Sequence, residues 1–242
     1  MHNPVVKFLY VLWFVPLFVS LTIVAGSLSL ISSLFSIKFA RYITNNWWSY
    51  IVFIPAGISL KTIGLENLPE SEGGFIIFAN HSSLTDIPTV SLSTGRQVSW
   101  VAKAALGKIP FFGWALARVH MLVDRGGGAD SAKKMVEEAE IRLKGGEILS
   151  IFPEGTRNKT DQLVLPFKKG AFILAKHTGA TMVPLAIKNA SKIWPAGAFW
   201  PTPGTIRVKI GEPLQPKEGE RLADLTARAQ AALSELLADE SW

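Results

Sequence analysis

The chain has 242 residues, a formal net charge of +6 and no cysteine. This length gives room for one good-sized domain with an appendage, and the missing cysteines exclude disulfides, thiolate catalysis and cysteine-ligated metal sites. The hydrophobic content of 48% is high for a fully soluble protein, and the positive charge indicates an anionic partner such as nucleic acid, membrane phospholipid or a phosphorylated substrate.

The excess of apolar residues lies at the N-terminus, where residues 8–37 contain no charged side chain. Thirty helical residues extend about 45 Å, which exceeds the roughly 30 Å of a hydrocarbon core. Because Pro16 and Gly26 interrupt the run, three arrangements are open: one spanning helix, a two-helix hairpin in a single leaflet, or a signal sequence. A signal sequence fits poorly, since the run is too long and nothing typical of a secreted protein follows. A soluble helix pair buried in the core is a fourth reading.

A second apolar piece, residues 47–54, follows Lys38 and Arg41. It begins with Trp47, Trp48 and Tyr50, which resemble the aromatic belt of a membrane–water interface. We therefore expect residues 1–54 to form a membrane-associated helical segment, and the sequence leaves its mode of attachment open.

From residue 55 onward, short apolar runs alternate with helical patterns. The apolar runs predict strands near residues 58–63, 75–79, 98–102, 119–123, 148–152, 182–187 and 205–210. Helical periodicity is clearest at residues 129–144, 170–177 and 220–237. This alternation predicts an α/β domain over residues 55–242, with a mixed, partly parallel sheet flanked by helices.

The first candidate site is residues 80–86, Asn-His-Ser-Ser-Leu-Thr-Asp, which follow a predicted strand. His81 and Asp86 are five residues apart, which would turn them about 140° from each other on a helix and place them on opposite faces of a strand. Only a bend between strand and helix lets the carboxylate reach the imidazole and raise its basicity. The alternative is that His81 is an ordinary loop histidine and Asp86 a helix-start acid.

A second loop, residues 153–158, leaves the predicted strand at 148–152. In an open α/β sheet, ligands bind beyond the carboxyl ends of the strands, so parallel strands would bring this loop beside His81. The loop contains Arg157 and is followed by Lys159, Lys168 and Lys169. A guanidinium binds phosphate with a bidentate fork. The two loops together suit a phosphorylated alcohol that loses its hydroxyl proton to His81.

Four segments in order resemble the motifs of the glycerolipid acyltransferases that include 1-acylglycerol-3-phosphate acyltransferase. Residues 80–86 resemble the first motif, residues 103–113 with Arg125 the second, residues 152–157 the third and residues 183–186 the fourth. The resemblance covers roughly residues 55–212. It implies a membrane enzyme that moves a fatty acyl group from acyl-CoA or acyl-carrier protein to lysophosphatidic acid, forming phosphatidic acid.

The resemblance also implies roles for individual residues. His81 would be the general base and Asp86 would orient and polarise it, so that the acceptor attacks the thioester directly without an acyl-enzyme. Backbone amides near Ser83 are candidates to stabilise the oxyanion. The substrate-binding residues implied are Lys103, Arg125, Glu154, Gly155, Thr156 and Arg157. No metal or cofactor is implied.

Several alternatives accompany these assignments. Glu154 could pair with a nearby arginine and brace the loop instead of binding substrate, and His120 with Asp124 forms a rival pair that we expect to be structural. The acceptor could be another lysolipid, such as lyso-ornithine lipid or a lysophospholipid, or the domain could bind lipid without catalysis. Nucleic acid is a poor partner, because the lysines are not interleaved with exposed aromatic residues. We expect anionic membrane lipid as a partner and, if the protein is bacterial, the cytoplasmic face of the inner or plasma membrane as its location.

Overall fold

The computed structural model of the chain describes residues 4–70, 73–124 and 128–242. The strands are β1 (Ile58–Ile63), β2 (Ile76–Ala79), β3 (Val98–Lys103), β4 (Met121–Val123), β5 (Ile148–Ile151), β6 (Met182–Lys188) and β7 (Gly204–Ile210). The α-helices are α1 (Pro4–Ser32), α2 (Ile37–Tyr42), α3 (Trp48–Ala56), α4 (Asp86–Ser93), α5 (Phe112–Val119), α6 (Gly128–Lys144), α7 (Gly170–Thr178), α8 (Ala190–Ile193) and α9 (Leu222–Ala238). A π-helical turn (Ile43–Trp47) joins α2 to α3.

These strands form one sheet in the order β1-β7-β6-β2-β5-β3-β4. Every neighbouring pair is parallel except β6 and β7, which are antiparallel. The predicted mixed, mostly parallel α/β sheet is therefore confirmed. Because β2 and β5 are adjacent and parallel, the two loops identified in the sequence leave the same edge of the sheet side by side.

The sheet separates two apolar layers. Successive side chains of a strand point to opposite faces, so Ile77 and Ala79 of β2 belong to one layer while Ile76 and Phe78 belong to the other. The first layer is covered by α1, α3, α4 and α8, and the second by α6, α7 and α9. All four residues of β2 are fully buried, which explains why this strand reads as an uninterrupted apolar run.

The N-terminal helices pack against the first layer. Phe14 of α1 is buried, with its ring centroid 6.1 Å from that of Trp194, and the indole nitrogen of Trp48 donates to Thr22 Oγ1 at 3.2 Å. Among the described helices, one stretch, Tyr10–Ser32 of α1, is long and apolar enough to cross a membrane. One side of this stretch nonetheless contacts the rest of the protein.

Side chains complete the edge of β3 where its neighbour is short. β4 pairs with residues 101–103 of β3 only, which leaves the first half of β3 without a strand on that side. There Asn45 of the π-helical turn donates to Val98 O at 2.7 Å and accepts from the Trp100 indole at 3.3 Å. His120 Nδ1 accepts from the backbone amide of Trp100 at 3.3 Å. The predicted strand over 119–123 begins only at Met121, because Val119 ends α5.

We predict that Asn45→Ala lowers the free energy of unfolding by about 2–3 kcal/mol, because Val98 O and the Trp100 N–H would be left buried without partners. Asn46→Ala is the matched control, since Asn46 Oδ1 makes no hydrogen bond, and its cost is expected to stay below about 1 kcal/mol. Denaturant unfolding of both variants in the same detergent measures the difference. Equal losses would contradict the role given to Asn45.

Candidate active site

The site begins where Asn80 extends the pairing of β2 with β6 by one residue. Asn80 Nδ2 donates to Ile187 O at 3.0 Å, and Ile187 N donates to Asn80 Oδ1 at 2.8 Å. The amide side chain thus takes both hydrogen bonds that a strand residue would make through its backbone. This fixes the point at which the chain leaves the sheet and places His81 in the loop just beyond it.

His81 and Asp86 meet across the bend between β2 and α4. His81 Nδ1 lies 2.7 Å from Asp86 Oδ2. The same oxygen accepts the backbone amides of Ser82 at 2.7 Å and Ser83 at 2.8 Å. The Asp86 side chain is fully buried, whereas the His81 side chain keeps 16% of its surface exposed. The structure therefore brings the predicted pair together, with the carboxylate inside and the imidazole at the surface of a cavity.

The amide hydrogen bonds to Asp86 also revise one expectation. The Ser83 N–H was a candidate to stabilise the oxyanion of the thioester, but in the structure it points to Asp86 Oδ2. The Ser83 hydroxyl is likewise engaged, since it donates to Trp194 O at 2.7 Å. Both groups hold the bend in place: the amide ties Ser83 to the buried carboxylate, which needs hydrogen-bond donors, and the hydroxyl ties it to the backbone at Trp194.

Glu154 joins the histidine loop to the second loop. Its Oε1 accepts the backbone amide of His81 at 2.6 Å, and its Oε2 accepts the amide of Leu165 at 2.8 Å. The amide of Asn158 donates back to His81 O at 2.6 Å. Burial raises the pKa of the Glu154 carboxyl above its usual value, and the two amide hydrogen bonds oppose that rise. Glu154 therefore braces the two loops through backbone amides, and no arginine among the described residues forms an ion pair with it.

An aromatic ring supports the imidazole from below. The Phe152 ring lies 4.1 Å from the His81 ring, centroid to centroid, at an interplanar angle of 11°, and it stacks in turn on Trp100 at 5.7 Å. Stacking on one side and the Asp86 hydrogen bond on the other fix the plane of the imidazole. Nothing in the sequence indicates this role of Phe152 beyond its place in the third motif.

Arg157 stands in the same cavity as His81. Its side chain makes no ion pair with any described residue, and its Nε is buried without a hydrogen-bond partner. A half-buried guanidinium in this condition is suited to an anionic ligand. Gly155, two residues before it, has φ +69°, and a side chain there would meet Lys168 at 2.7 Å, so the turn requires glycine.

The remaining predicted site residues are less closely placed. Thr156 is exposed in the loop between Gly155 and Arg157. Lys103 is exposed at the carboxyl end of β3, and it forms no ion pair within the described part of the chain. Arg125 lies outside the described residues. No group of three or more potential metal ligands occurs among the described residues.

A cavity of about 250 Å³ extends from His81 and Arg157 towards the N-terminal helices. Its walls are mostly apolar and include Phe18, Trp48, Val52, Leu84, Leu106 and Phe112. Phe18, Trp48 and Val52 come from α1 and α3, so the segment expected to be a membrane attachment also closes this cavity. The shape suits a flexible alkyl chain whose reacting end lies at His81.

His120 and Thr44 lie at the end of this cavity that is lined by the π-helical turn. His120 Nε2 is 3.0 Å from Thr44 Oγ1, and Thr44 donates to Arg41 O at 3.0 Å. Burial, with the positive charges of Arg41 and Arg142, lowers the pKa of His120 to about 3. His120 is therefore neutral, and both of its ring nitrogens are engaged by Thr44 and the Trp100 amide. The structural role expected for His120 agrees with these contacts.

Comparisons with known proteins agree with this geometry. The Acyltransferase family model matches residues 59–188. A 1-acyl-sn-glycerol-3-phosphate acyltransferase of Pseudomonas aeruginosa is 35% identical over 83% of this chain and 79% of that protein. A chloroplastic enzyme of the same name from Arabidopsis thaliana is 34% identical over 81% of this chain. That enzyme is longer, and the match covers about half of its length. A crystal structure of the 1-acyl-sn-glycerophosphate acyltransferase of Thermotoga maritima superimposes with a TM-score of 0.80 at 25% identity, covering 98% of both chains.

The site and fold define an enzyme that transfers acyl groups, with a histidine–aspartate pair beside an apolar cavity. The chain belongs to the acyltransferase family, as the family match and the relatives at 34–35% identity establish. The resemblance drawn from the four motifs is confirmed.

The pKa of His120 predicts a specific pH dependence of stability. Above pH 6.5 the imidazole is neutral in both the folded and the unfolded chain. As the pH falls, the unfolded chain binds a proton first, while the folded chain resists protonation until about pH 3. The free energy of unfolding therefore declines through this window. His120→Gln, which cannot titrate, should show a shallower decline between pH 6.5 and 4 in denaturant unfolding, and an unchanged slope would refute the assignment.

Proposed function

We propose that the protein is a 1-acyl-sn-glycerol-3-phosphate acyltransferase, which moves a fatty acyl group from a thioester to the free hydroxyl of lysophosphatidic acid. The observation that carries the proposal is the 2.7 Å contact of His81 with buried Asp86, in the same cavity as the Arg157 guanidinium, which makes no ion pair with the described residues. The related enzymes from Pseudomonas aeruginosa, Arabidopsis thaliana and Thermotoga maritima are named for the same acceptor, which supports this assignment. The donor is acyl-CoA or acyl-carrier protein, since both present the acyl group as a thioester.

The proposed proton transfer follows from the tautomer that Asp86 selects. A carboxylate at Nδ1 holds the N–H there, which leaves Nε2 with a free lone pair. Nε2 takes the proton of the acceptor hydroxyl as its oxygen attacks the thioester carbonyl carbon. The carbon–sulfur bond then breaks, and the thiolate takes the proton from the imidazolium. The products are an ester and a free thiol, and the imidazole is regenerated.

The acceptor's phosphate is assigned to Arg157. The guanidinium shares a cavity with His81, so a glycerol phosphate bound through its phosphate would hold its hydroxyl near the base. Gly155 and Thr156 shape the turn that presents Arg157, and Glu154 holds that turn against the histidine loop. Lys103 and Arg125 stay candidates for further phosphate contacts. The role of each of these residues in substrate binding is part of the proposal.

We further propose that the protein attaches to a membrane from one side. α1 contacts the rest of the protein from Phe14, at Trp194, to Ser29, whose hydroxyl donates to Ala40 O at 3.0 Å. A helix that crosses a bilayer alone would be surrounded by lipid over about 30 Å. The contacts therefore favour the arrangement in which α1, α2 and α3 lie in one leaflet. Water-soluble thioester donors would reach the site from the cytoplasmic side.

His81→Ala is expected to reduce acyl transfer by at least about 1,000-fold, because the variant lacks the imidazole that takes the proton of the acceptor hydroxyl in the proposed reaction. Release of free thiol from acyl-CoA in the presence of lysophosphatidic acid measures the rate. An unchanged unfolding transition serves as the control for folding. Retained activity in the His81→Ala protein would exclude the proposed mechanism.

Arg157→Gln should lower kcat/KM for lysophosphatidic acid by roughly 100-fold, since the phosphate loses a charge-assisted fork. With 1-acylglycerol, which has no phosphate, the same variant should react much as the parent does. Lys159→Gln is the matched control: it removes a positive charge from an exposed residue two positions away and should change neither value by more than a few-fold. An equal loss of kcat/KM with both acceptors would show that Arg157 does not bind the phosphate. Lysophosphatidylcholine and lyso-ornithine lipid in the same assay test the other acceptor classes.

A further inference from the structure

A strained turn precedes α5. The amide of Phe112 donates to Pro110 O at 2.7 Å, and Phe111 between them has φ 60° and ψ −68°. This is a γ-turn of the rare form with positive φ at its centre, which bulky residues adopt only under constraint. Such a strained conformation persists only where the surrounding structure holds it, and it is found mostly at functional sites.

Two glycines hold this turn in position. The backbone of Phe111 and Phe112 rests on Gly26 of α1, where an added Cβ would lie 3.0 Å from both residues. Gly113 packs against the carbonyl of Leu106, so a Cβ there would overlap that oxygen. Its amide also donates to Ile109 O at 2.8 Å. Because Gly26 and Leu106 contact the backbone of the turn closely, the Phe111 side chain points outward.

The outward side chains of the turn are large and apolar. Ile109, Phe111 and Trp114 are 43%, 41% and 48% exposed, and the rings of Phe111 and Trp114 lie 5.5 Å apart. On α1, Ile23 precedes Gly26 by one helical turn and is also exposed. Further exposed apolar residues follow along the N-terminal helices: Leu28, Ile31, Leu34, Phe35, Phe39 and Ile54. So many exposed apolar side chains on neighbouring elements indicate an interaction site.

The charged residues near this apolar surface are basic, which indicates the kind of partner it binds. Residues 1–65 and 87–123 contain no aspartate or glutamate. Lys38 and Lys108, which flank the apolar segments, are exposed and form no ion pair within the described part of the chain. Apolar side chains bordered by unpaired lysines match a bilayer with anionic headgroups, because the lysine stems can lie along lipid while their ammonium groups reach the phosphates.

We propose that residues 109–114 form a second lipid-contacting element, which inserts Phe111 and Trp114 into an anionic bilayer beside α1. This inference rests on the membrane attachment proposed above and not on the chemistry of acyl transfer. The next residue, Phe112, points the other way: it lines the acyl cavity and lies 5.3 Å from the Trp48 ring. In this arrangement the turn places Phe112, which forms part of the wall of the cavity at His81, next to the lipid surface.

The absence of cysteine in the chain permits a direct test with single labelled thiols. Trp114→Cys, Leu28→Cys on α1 and Ile173→Cys on α7 each take an environment-sensitive fluorophore. The full-length proteins are then added to phosphatidylglycerol–phosphatidylcholine vesicles that carry nitroxide-labelled acyl chains. Labels at positions 114 and 28 should shift to shorter wavelength and be quenched. The label at position 173, on the opposite face of the sheet, should remain in water.

The outcomes separate the inference from the attachment itself. Quenching at position 28 without quenching at position 114 would overturn the second element while leaving α1 as the anchor. No quenching at either position would overturn both. Equal quenching at all three positions would indicate non-specific insertion and would also overturn the proposal. None of these readings depends on enzyme activity, so a failure of the proposed reaction would be seen separately.

Partition of variants into vesicles measures how much these side chains contribute to membrane binding. Phe111→Ser with Trp114→Ser should weaken partition into the anionic vesicles by about tenfold or more, since two aromatic contacts with lipid are lost. Ile173→Ser removes a comparably exposed apolar side chain from α7 and should leave partition unchanged. Lys38→Gln with Lys108→Gln should weaken binding to anionic vesicles and not to neutral ones. Equal partition of the aromatic double variant and the parent would contradict the inference.

Discussion

The hydrogen bond between His81 and Asp86 depends on one buried carboxylate oxygen, Asp86 Oδ2, that holds the bend between β2 and α4 together, whereas the other oxygen, Oδ1, is buried without a hydrogen-bond partner among the described residues. A buried charge is costly unless donors surround it, and Asp86 Oδ2 receives three N–H groups: the imidazole and the amides of Ser82 and Ser83. Opening the bend would strip these donors from the carboxylate. The geometry of the pair is therefore maintained by the same interactions that make Asp86 tolerable in the interior, and the second loop depends on it through the contact of Glu154 with the His81 amide.

The mixed sheet assigns different tasks to its two faces. On one face, α6, α7 and α9 build an ordinary apolar layer. On the other, the N-terminal helices contribute Phe18, Trp48 and Val52 to the cavity that begins at His81, while their outer sides remain apolar and exposed. Apolar packing of this region is supplemented by polar contacts such as those of Asn45 at the edge of β3. The helices thus line the cavity with one side and leave apolar side chains exposed on the other.

Much of this arrangement was predictable from the chain. The sequence located the seven strands of the described residues, because the central buried strands carry continuous apolar sequence while β1 and β7 alternate apolar with polar residues, and the four motifs identified the family. The bend between His81 and Asp86 followed from excluding regular helix and strand. The helix at α5 was missed, since Gly107, Pro110 and Gly113 make residues 103–114 look irregular. The partner of His120 was also beyond reach, because Thr44 lies 76 residues earlier and no local pattern couples the two.

The sequence by itself determined what depends on neighbouring residues: the strands, the strand-to-helix bend and the chemical character of the two loops. Only the tertiary structure decided what depends on the path of the chain between distant segments. It stacked Phe152 beneath His81, set Glu154 against an amide 73 residues away and buried Arg157 Nε in the site without a hydrogen-bond partner among the described residues. The physical reason is that apolar periodicity and backbone preference act over a few residues. Hydrogen-bond satisfaction of buried groups, in contrast, is settled only when all elements are packed together.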